Sequence, residues 1–206
     1  MSVKVKICGL TRLVDAQTAV AAGADALGFV FWEQSPRWLS TAQAAEIIRH
    51  LPAQVQKVGV FVNAPPEAVR RAIGDCGLDV LQFHGDESPD YCRQFGRRVM
   101  KAFRIRDAES LRALPDYRTD AWLLDAFVPG QPGGGGATFN WNLAVEAQKF
   151  GRPLFLAGGL TPGNVAVAVR QVRPYGVDVS SGVESVPGQK DPEKVRAFIA
   201  AAKQVV

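Results

Sequence analysis

Histidine is nearly missing from this chain: His50 and His84 are the only two among 206 residues. Cysteine is sparse and odd in number. Cys8, Cys76 and Cys92 sit at spacings that match no zinc pattern. With so few imidazoles and thiols, no metal site is expected. No apolar run approaches the roughly 20 residues needed to cross a bilayer, so no membrane is expected as a partner. The amino terminus carries lysines but no long apolar region or cleavage site, so no secretory signal is expected. These gaps together point to the cytoplasm, with thiols kept reduced. There is no arm or block of Lys and Arg. The formal charge of +4, from 24 Lys and Arg against 20 Asp and Glu, is a mild excess. It suits a small anionic ligand and not nucleic acid. The alternation of Trp32, Arg37 and Trp38 is too brief for a nucleic-acid stripe. No linker or shift in composition divides the chain, so residues 1–206 are expected to form one domain.

What is present is a regular alternation of short apolar runs with amphipathic stretches. Val3, Val5 and Ile7 alternate with Lys4 and Lys6, a strand with one buried face, and then the chain meets Cys8 and Gly9. Further strands are expected at residues 26–31, 57–62, 78–83, 98–103, 121–126, 153–158 and 176–181. Between them lie an alanine-rich helix at 12–22 and a helix with Ala44, Ile47, Ile48 and Leu51 on one face. Val69, Ala72, Ile73 and Cys76 line another, followed by helices at 87–95, 107–114 and about 141–149. Val165, Ala168, Val169 and Val172 share a face in the next, with Pro162 suited to its first turn. Residues 191–203 close the chain, with Asp191 as cap and Pro192 at the first position. No helix carries an extra apolar stripe, so a monomer is expected.

Eight strand–helix units in about 200 residues fit an α/β fold of one kind, a parallel eight-stranded (β/α)8 or TIM barrel in a single domain. An open doubly wound sheet is the alternative. It would have fewer strands and a Gly-rich first turn of the GxGxxG type, which "CGLT" is not. The low-complexity stretch 129–136 falls inside one repeat and is expected to be a mobile loop on the active side.

In such a barrel, chemistry sits where the strands end. Strand one delivers Cys8, either a small buried hydrophobe or a base or nucleophile if its pKa is lowered. The loop after strand two brings Arg37, able to grip a carboxylate or phosphate. Strand three delivers Asn63, strand four Gln82 and His84, and strand five Arg104. His84 is a polar contact to substrate or a packed, hydrogen-bonded side chain. Strand six delivers Asp125 from a buried run. It is either satisfied structurally or is an acid with a raised pKa. Asp178 lies near the end of strand eight as a candidate substrate contact. Gly158, Gly159, Ser180, Ser181 and Gly182 offer small side chains and backbone N–H groups that would cradle a dianion. Cys76 and Cys92 fall on helices and are expected to be packing residues. A base and an acid on opposite sides of a bound sugar phosphate suit an aldose–ketose isomerisation without a cofactor.

The chain resembles the phosphoribosylanthranilate isomerase family of tryptophan biosynthesis. The likeness rests on "KICGLT" (6–11), "GFVF" and "SPR" (28–37), "VGVFVN" (58–63), "LQFHG" (81–85), "LLDA" (123–126), "LAGGLTPGNV" (156–165), "VDVSSGVE" (177–184) and "PGQKD" (187–191), in the family's order and spacing. It implies that Cys8 is general base and Asp125 general acid, that Arg37 holds the anthranilate carboxylate, and that the last two loops with Gly136 bind phosphate. It implies a phosphorylated ribosyl anthranilate as the small-molecule substrate, and no cofactor. Two positions depart from the family's pattern. Gly135 replaces a threonine, which removes a hydroxyl near the phosphate; Asn140 replaces an aspartate, and both of those cap helices. The analogous isomerase of histidine biosynthesis uses a carboxylate at the end of strand one, where this chain has Cys8. A non-catalytic phosphate-ligand barrel would be expected to lack the acid or the base, and both are present.

Overall fold

The computed structural model describes residues 2–127 and 138–205. Eight strands close into a barrel in chain order. They are β1 (Lys4–Ile7), β2 (Ala26–Val30), β3 (Gln56–Phe61), β4 (Val80–Phe83), β5 (Arg98–Ile105), β6 (Ala121–Ala126), β7 (Leu154–Leu156) and β8 (Gly176–Val179). Every neighbouring pair is parallel, and β1 against β8 completes the circle. The connections carry α1 (Leu13–Ala21), α2 (Thr41–Ile48), α3 (Pro66–Cys76), α4 (Pro89–Arg93), α5 (Trp141–Ala147), α6 (Val165–Val172) and, after β8, α7 (Pro192–Lys203). Among the described residues no helix is long and apolar enough to cross a membrane.

Successive side chains on a strand face opposite ways, so a closed sheet sorts each strand into an outer and an inner set. Val5, Ile7, Leu27, Phe29, Phe61, Leu81, Phe83 and Leu124 face outward into one large cluster with the buried faces of the helices. Inside, Ala26, Val58, Val80, Met100, Ala102, Leu123, Phe155 and Ala157 form a separate core. Cys8, Val30 and Val60 make a third cluster, with Trp32 packed on it. The first strand therefore departs from the expectation. Its lysine face is only partly solvated: Lys4 at the rim stays half-exposed, but Lys6 is fully buried, because in a barrel the inner face of a strand is a lumen.

Aspartates finish the rim at the strands' amino-terminal ends. Asp25, just before β2, accepts the Val5 N–H at 3.0 Å, Asp79 accepts that of Lys57 at 2.8 Å, and Asp120 accepts that of Val99 at 2.8 Å. Each satisfies a strand end that has no ladder partner. Helix ends follow capping rules: Ser40 forms a capping box with Gln43, Ser88 accepts from Tyr91 N, and Asp191 accepts from Glu193 and Lys194.

Several expected boundaries move. Residues 107–114 form no α-helix. Two 3-10 turns, Ala108–Leu111 and Leu114–Asp116, take its place. Asp107 accepts from Ser110 N at 3.2 Å at the start of the first turn, and Pro115 has no N–H to continue a helix. The helix expected over 87–95 is the single capped turn and a half of α4. Pro162 lies in a turn ahead of α6. Two short antiparallel strands, β9 (Glu184–Val186) and β10 (Gln189–Lys190), were not anticipated, since strands of two and three residues carry no periodic signal. Cys76 and Cys92 are buried on helices, and all three cysteines are free. The loop at 129–136 lies outside the described residues.

The bottom of the lumen is full. A Cβ at Gly176 would lie 2.4 Å from Phe155 Cε1. Gly176→Ala is expected to cost roughly 1–3 kcal/mol through overpacking, read by urea unfolding, and Phe155→Leu in the same chain should return part of it. An unchanged unfolding midpoint would show that the lumen has slack there.

Candidate active site

Cys8 extends β1 by one residue, its N–H donating to Val179 O at 2.8 Å. It shares the inward face with Lys6, two residues earlier. The β1–β8 register sets Lys6 opposite Asp178. Their charges meet at 2.8 Å in the lumen below Cys8. Burial works against the Lys6 ammonium, but the charges of Asp178 and Cys8 and their hydrogen bonding outweigh it, so its pKa stands above the ordinary 10.5. Burial also pushes the Cys8 thiol up, and Asp178 adds to that, while Lys6 and Lys190 pull it down.

Gly9 has φ +72°, a conformation that favours glycine. Space demands it too: a Cβ there would lie 2.4 Å from Arg37 Cδ and 2.9 Å from Ser180 Oγ. Arg37 thus crosses directly over the Cys8–Gly9 turn. Its guanidinium is held in a fork by Glu184, Nε to Oε1 at 2.8 Å and Nη2 to Oε2 at 2.7 Å. Lys190 Nζ also donates to Glu184 Oε1, at 2.8 Å, and to Ser180 O at 3.1 Å. Burial opposes ionisation of Glu184, yet Arg37 and Lys190 together hold its carboxyl below the usual 4.5. Burial conversely lowers Lys190, against the pull of Glu184.

Asp125, on β6, stands two strands beyond β8. Its Oδ1 accepts the N–H of Ala126 at 2.8 Å. Oδ2 lies 3.3 Å from His84 Nε2, although that nitrogen makes no directed hydrogen bond among the described residues. Gln82 Nε2 meets His84 Nδ1 at 3.0 Å. His84 is thus braced from β4 beside the carboxylate. Arg104, beside Asp125 in the β5–β6 register, turns away to Asp86 at 2.8 Å. Asn63, at φ +50°, orders the next loop by accepting from Asp86 N. Lys101 points away from the lumen to Glu87 and to the carbonyls of Phe83, Gly85 and Ala102.

The loops after β7 and β8 close on each other. Gly158 and Gly159 have φ +79° and +59°. A Cβ at Gly158 would lie 2.5 Å from Ala126 N and 3.0 Å from Asp125 Oδ1; one at Gly182 would lie 1.9 Å from Leu160 O. Asn164 ties the first loop, accepting from Thr161 N and donating to Gly159 O. The N–H groups of Gly158, Gly159, Ser181 and Gly182 find no acceptor among the described residues, and Ser180 Oγ is buried without a partner there. Gly136 lies outside the described residues.

The structure therefore brings Cys8, Arg37 and Ser180 to one side of the mouth, while Asp178, expected as a substrate contact, lies in the lumen below them, paired with Lys6. Asp125 and His84 stand at the other, with the glycine loops between them. Sequence reasoning missed Lys6, Glu184 and Lys190 as members. The spacing of Lys6 from Cys8, i to i+2, was the available signal for the first; nothing local marks the other two. Among the described residues no group of three or more His, Cys, Asp and Glu is arranged to hold a metal ion.

An eight-stranded parallel barrel with acid, thiol and open N–H groups gathered at its carboxyl end belongs to the class of (β/α)8-barrel enzymes. The family model for N-(5'-phosphoribosyl)anthranilate (PRA) isomerase matches residues 5–201. The chain belongs to this family. The N-(5'-phosphoribosyl)anthranilate isomerase of Citrifermentans bemidjiense is 61% identical over 202 residues, 98% of each chain. That of Trichlorobacter lovleyi is 57% identical, over 99% of this chain and all of its own. The crystal structure of the Thermotoga maritima phosphoribosyl anthranilate isomerase superposes with a TM-score of 0.93 at 42% identity, covering 98% of this chain and 99% of that one. Another solved phosphoribosyl anthranilate isomerase, in complex with reduced 1-(o-carboxyphenylamino)-1-deoxyribulose 5-phosphate, superposes at 0.90 with 40% identity over the same shares.

Because Glu184 titrates below its usual value in the fold, its ionised form stabilises the native state. That contribution is present above about pH 4.5 and is lost as pH falls through the lower folded value. Glu184→Gln should therefore destabilise the protein most at neutral pH, with the difference from the parent shrinking below pH 4.5 in urea unfolding. A difference that grows on acidification would contradict the assignment.

Proposed function

We propose that the mouth of this barrel isomerises N-(5'-phosphoribosyl)anthranilate to 1-(2-carboxyphenylamino)-1-deoxyribulose 5-phosphate, with Cys8 as general base and Asp125 as general acid. One observation carries the assignment: a thiol from β1 and a carboxyl from β6 flank a loop pair whose N–H groups face no protein acceptor among the described residues. The phosphate sits on the N–H groups of Gly158, Gly159, Ser181 and Gly182, with the Ser180 hydroxyl beside it. Arg37 holds the anthranilate carboxylate. Its fork is already occupied by Glu184, so the substrate meets a guanidinium fixed in place and takes the remaining donors.

Asp125 gives a proton to the ribose ring oxygen as the C1′–O bond breaks, and the anilino nitrogen's lone pair forms the Schiff base. His84, held by Gln82, lies beside the Asp125 carboxyl and completes the polar wall. The Cys8 thiolate then removes the proton from C2′, giving an enolamine that tautomerises to the ketone. Asp178 supports this site from below through Lys6. The proposed working unit is a monomer formed as one domain, whereas a solved Thermotoga maritima relative is described as monomers generated from a dimeric enzyme.

The test is turnover of freshly prepared substrate by the purified, EDTA-treated chain. Cys8→Ala and Asp125→Asn should each fold and each lose roughly 10²–10⁴-fold in kcat. Near-parental kcat in either folded variant would remove that residue from the mechanism. Arg37→Met should raise KM far more than it lowers kcat; an unchanged KM would free Arg37 from substrate. A folded parent that binds the product without turnover would make the barrel a binding module.

A further inference from the structure

Cys8 carries a difficulty for any base: a thiol buried among apolar side chains resists ionisation. Val30, Val60 and Trp32 pack around it. The thiol therefore needs a positive charge close by and held still. The lumen supplies one candidate from the same strand. Lys6 is fully buried, and its ammonium is anchored to Asp178 at 2.8 Å. The site of a Cβ on Gly28 would lie 2.7 Å from Cys8 Sγ and 3.1 Å from Lys6 Nζ. Sulfur and ammonium thus crowd the same point above β2, and they can do so because Gly28 has no side chain.

We propose that Lys6 is the positioning residue of the base: its ammonium, seated over Gly28 and tethered by Asp178, is the counter-ion of the Cys8 thiolate. The charged groups that face this thiol are Lys6 on its own strand, Asp178 on β8, Lys190 on β10 and Arg37 from the loop after β2. Lys190 and Arg37 are both committed to Glu184, which cancels much of their field. Lys6 is shared between Asp178 and the thiol. When Cys8 loses its proton, the ammonium gains a second anion within reach, and no group has to enter or leave the lumen. Asp178 has a double effect. It keeps Lys6 charged and in place, but it also repels a thiolate. Those opposed effects give the coupling a signature that packing alone does not have.

The inference rests on Cys8 as base for its catalytic meaning, while the electrostatic coupling itself is read separately. The experiment is alkylation of Cys8 by iodoacetamide across pH, followed by peptide mass spectrometry so that Cys76 and Cys92 are resolved from it. Folding of each variant is checked by circular dichroism. Lys6→Met is expected to raise the midpoint of Cys8 alkylation by about one pH unit or more, which is about a tenfold slower reaction at a fixed lower pH. It should lower kcat in proportion while leaving KM near the parent's. Lys6→Met strands the Asp178 carboxylate in the lumen, so Lys6→Met/Asp178→Asn is run beside it as the variant that keeps charge balanced. Asp178→Asn alone should move the midpoint the other way and speed alkylation, because Lys6 then faces the thiolate alone. An unshifted midpoint in a folded Lys6 variant overturns the proposal. So does a slower or unchanged reaction in Asp178→Asn. Lost turnover with an unshifted midpoint would make Lys6 a structural residue only. Retained turnover in Cys8→Ala would overturn the base assignment, and the alkylation midpoints would still decide whether Lys6 and the thiol are coupled.

Discussion

Lys6 and Asp178 meet inside the barrel where β1 closes against β8, and most of the site is arranged around that meeting. An ammonium alone in a lumen would be prohibitively costly, and so would a carboxylate. Brought together by the β1–β8 register, each makes the other tolerable. The seam that closes the sheet is therefore also the seam that carries charge under the thiol. A second buried cluster, Glu184 with Arg37 and Lys190, sits above it and uses the hairpin β9–β10 to reach the mouth. Two layers of compensated charge enclose Cys8 from below and above. Neither layer is explained by stability alone, since apolar replacements of a buried pair are often as stable.

The remaining constraint is steric. Gly9, Gly28, Gly158 and Gly182 each stand where a Cβ would strike a neighbour: Arg37, Cys8, Ala126 and the Leu160 carbonyl respectively. These contacts pull loops from different strands against one another. The open N–H groups of these loops are then held by packed backbone, and Asp125 is locked to the loop after β7 through Ala126 and Gly158. Fixed donors of this kind need no rearrangement when a dianion arrives. The substrate in this reading is an anion at both ends, phosphate and carboxylate, and each end meets a cationic or N–H-rich surface already braced.

Much of this architecture was legible from residues in a row. Eight apolar runs separated by amphipathic helices led directly to a closed parallel barrel, and the cysteine and aspartate at strand ends led to its mouth. The legible features were those with a local period or a terminal position. The stretch 107–114 departs from the expected helix because apolar spacing does not register the consequence of Pro115, which removes an N–H from the helical ladder. The face of β1 was misread for a deeper reason. Alternation separates two faces of a strand but does not say which one meets water, and in a barrel the inner face turns to the lumen beyond the rim, as at Lys6.

The amino-acid sequence by itself determined the number and order of the strand–helix units, the positions at which side chains emerge at strand ends, and the glycine-rich turns that follow the last two strands. Those properties depend on neighbours within a few residues, so they survive reading in one dimension. Only the tertiary structure decided that Lys6 meets Asp178, 172 positions away, and that Glu184 takes hold of Arg37 across 147. Pairing over such separations is set by barrel closure, register and excluded volume, and these arise only once the last strand lies beside the first.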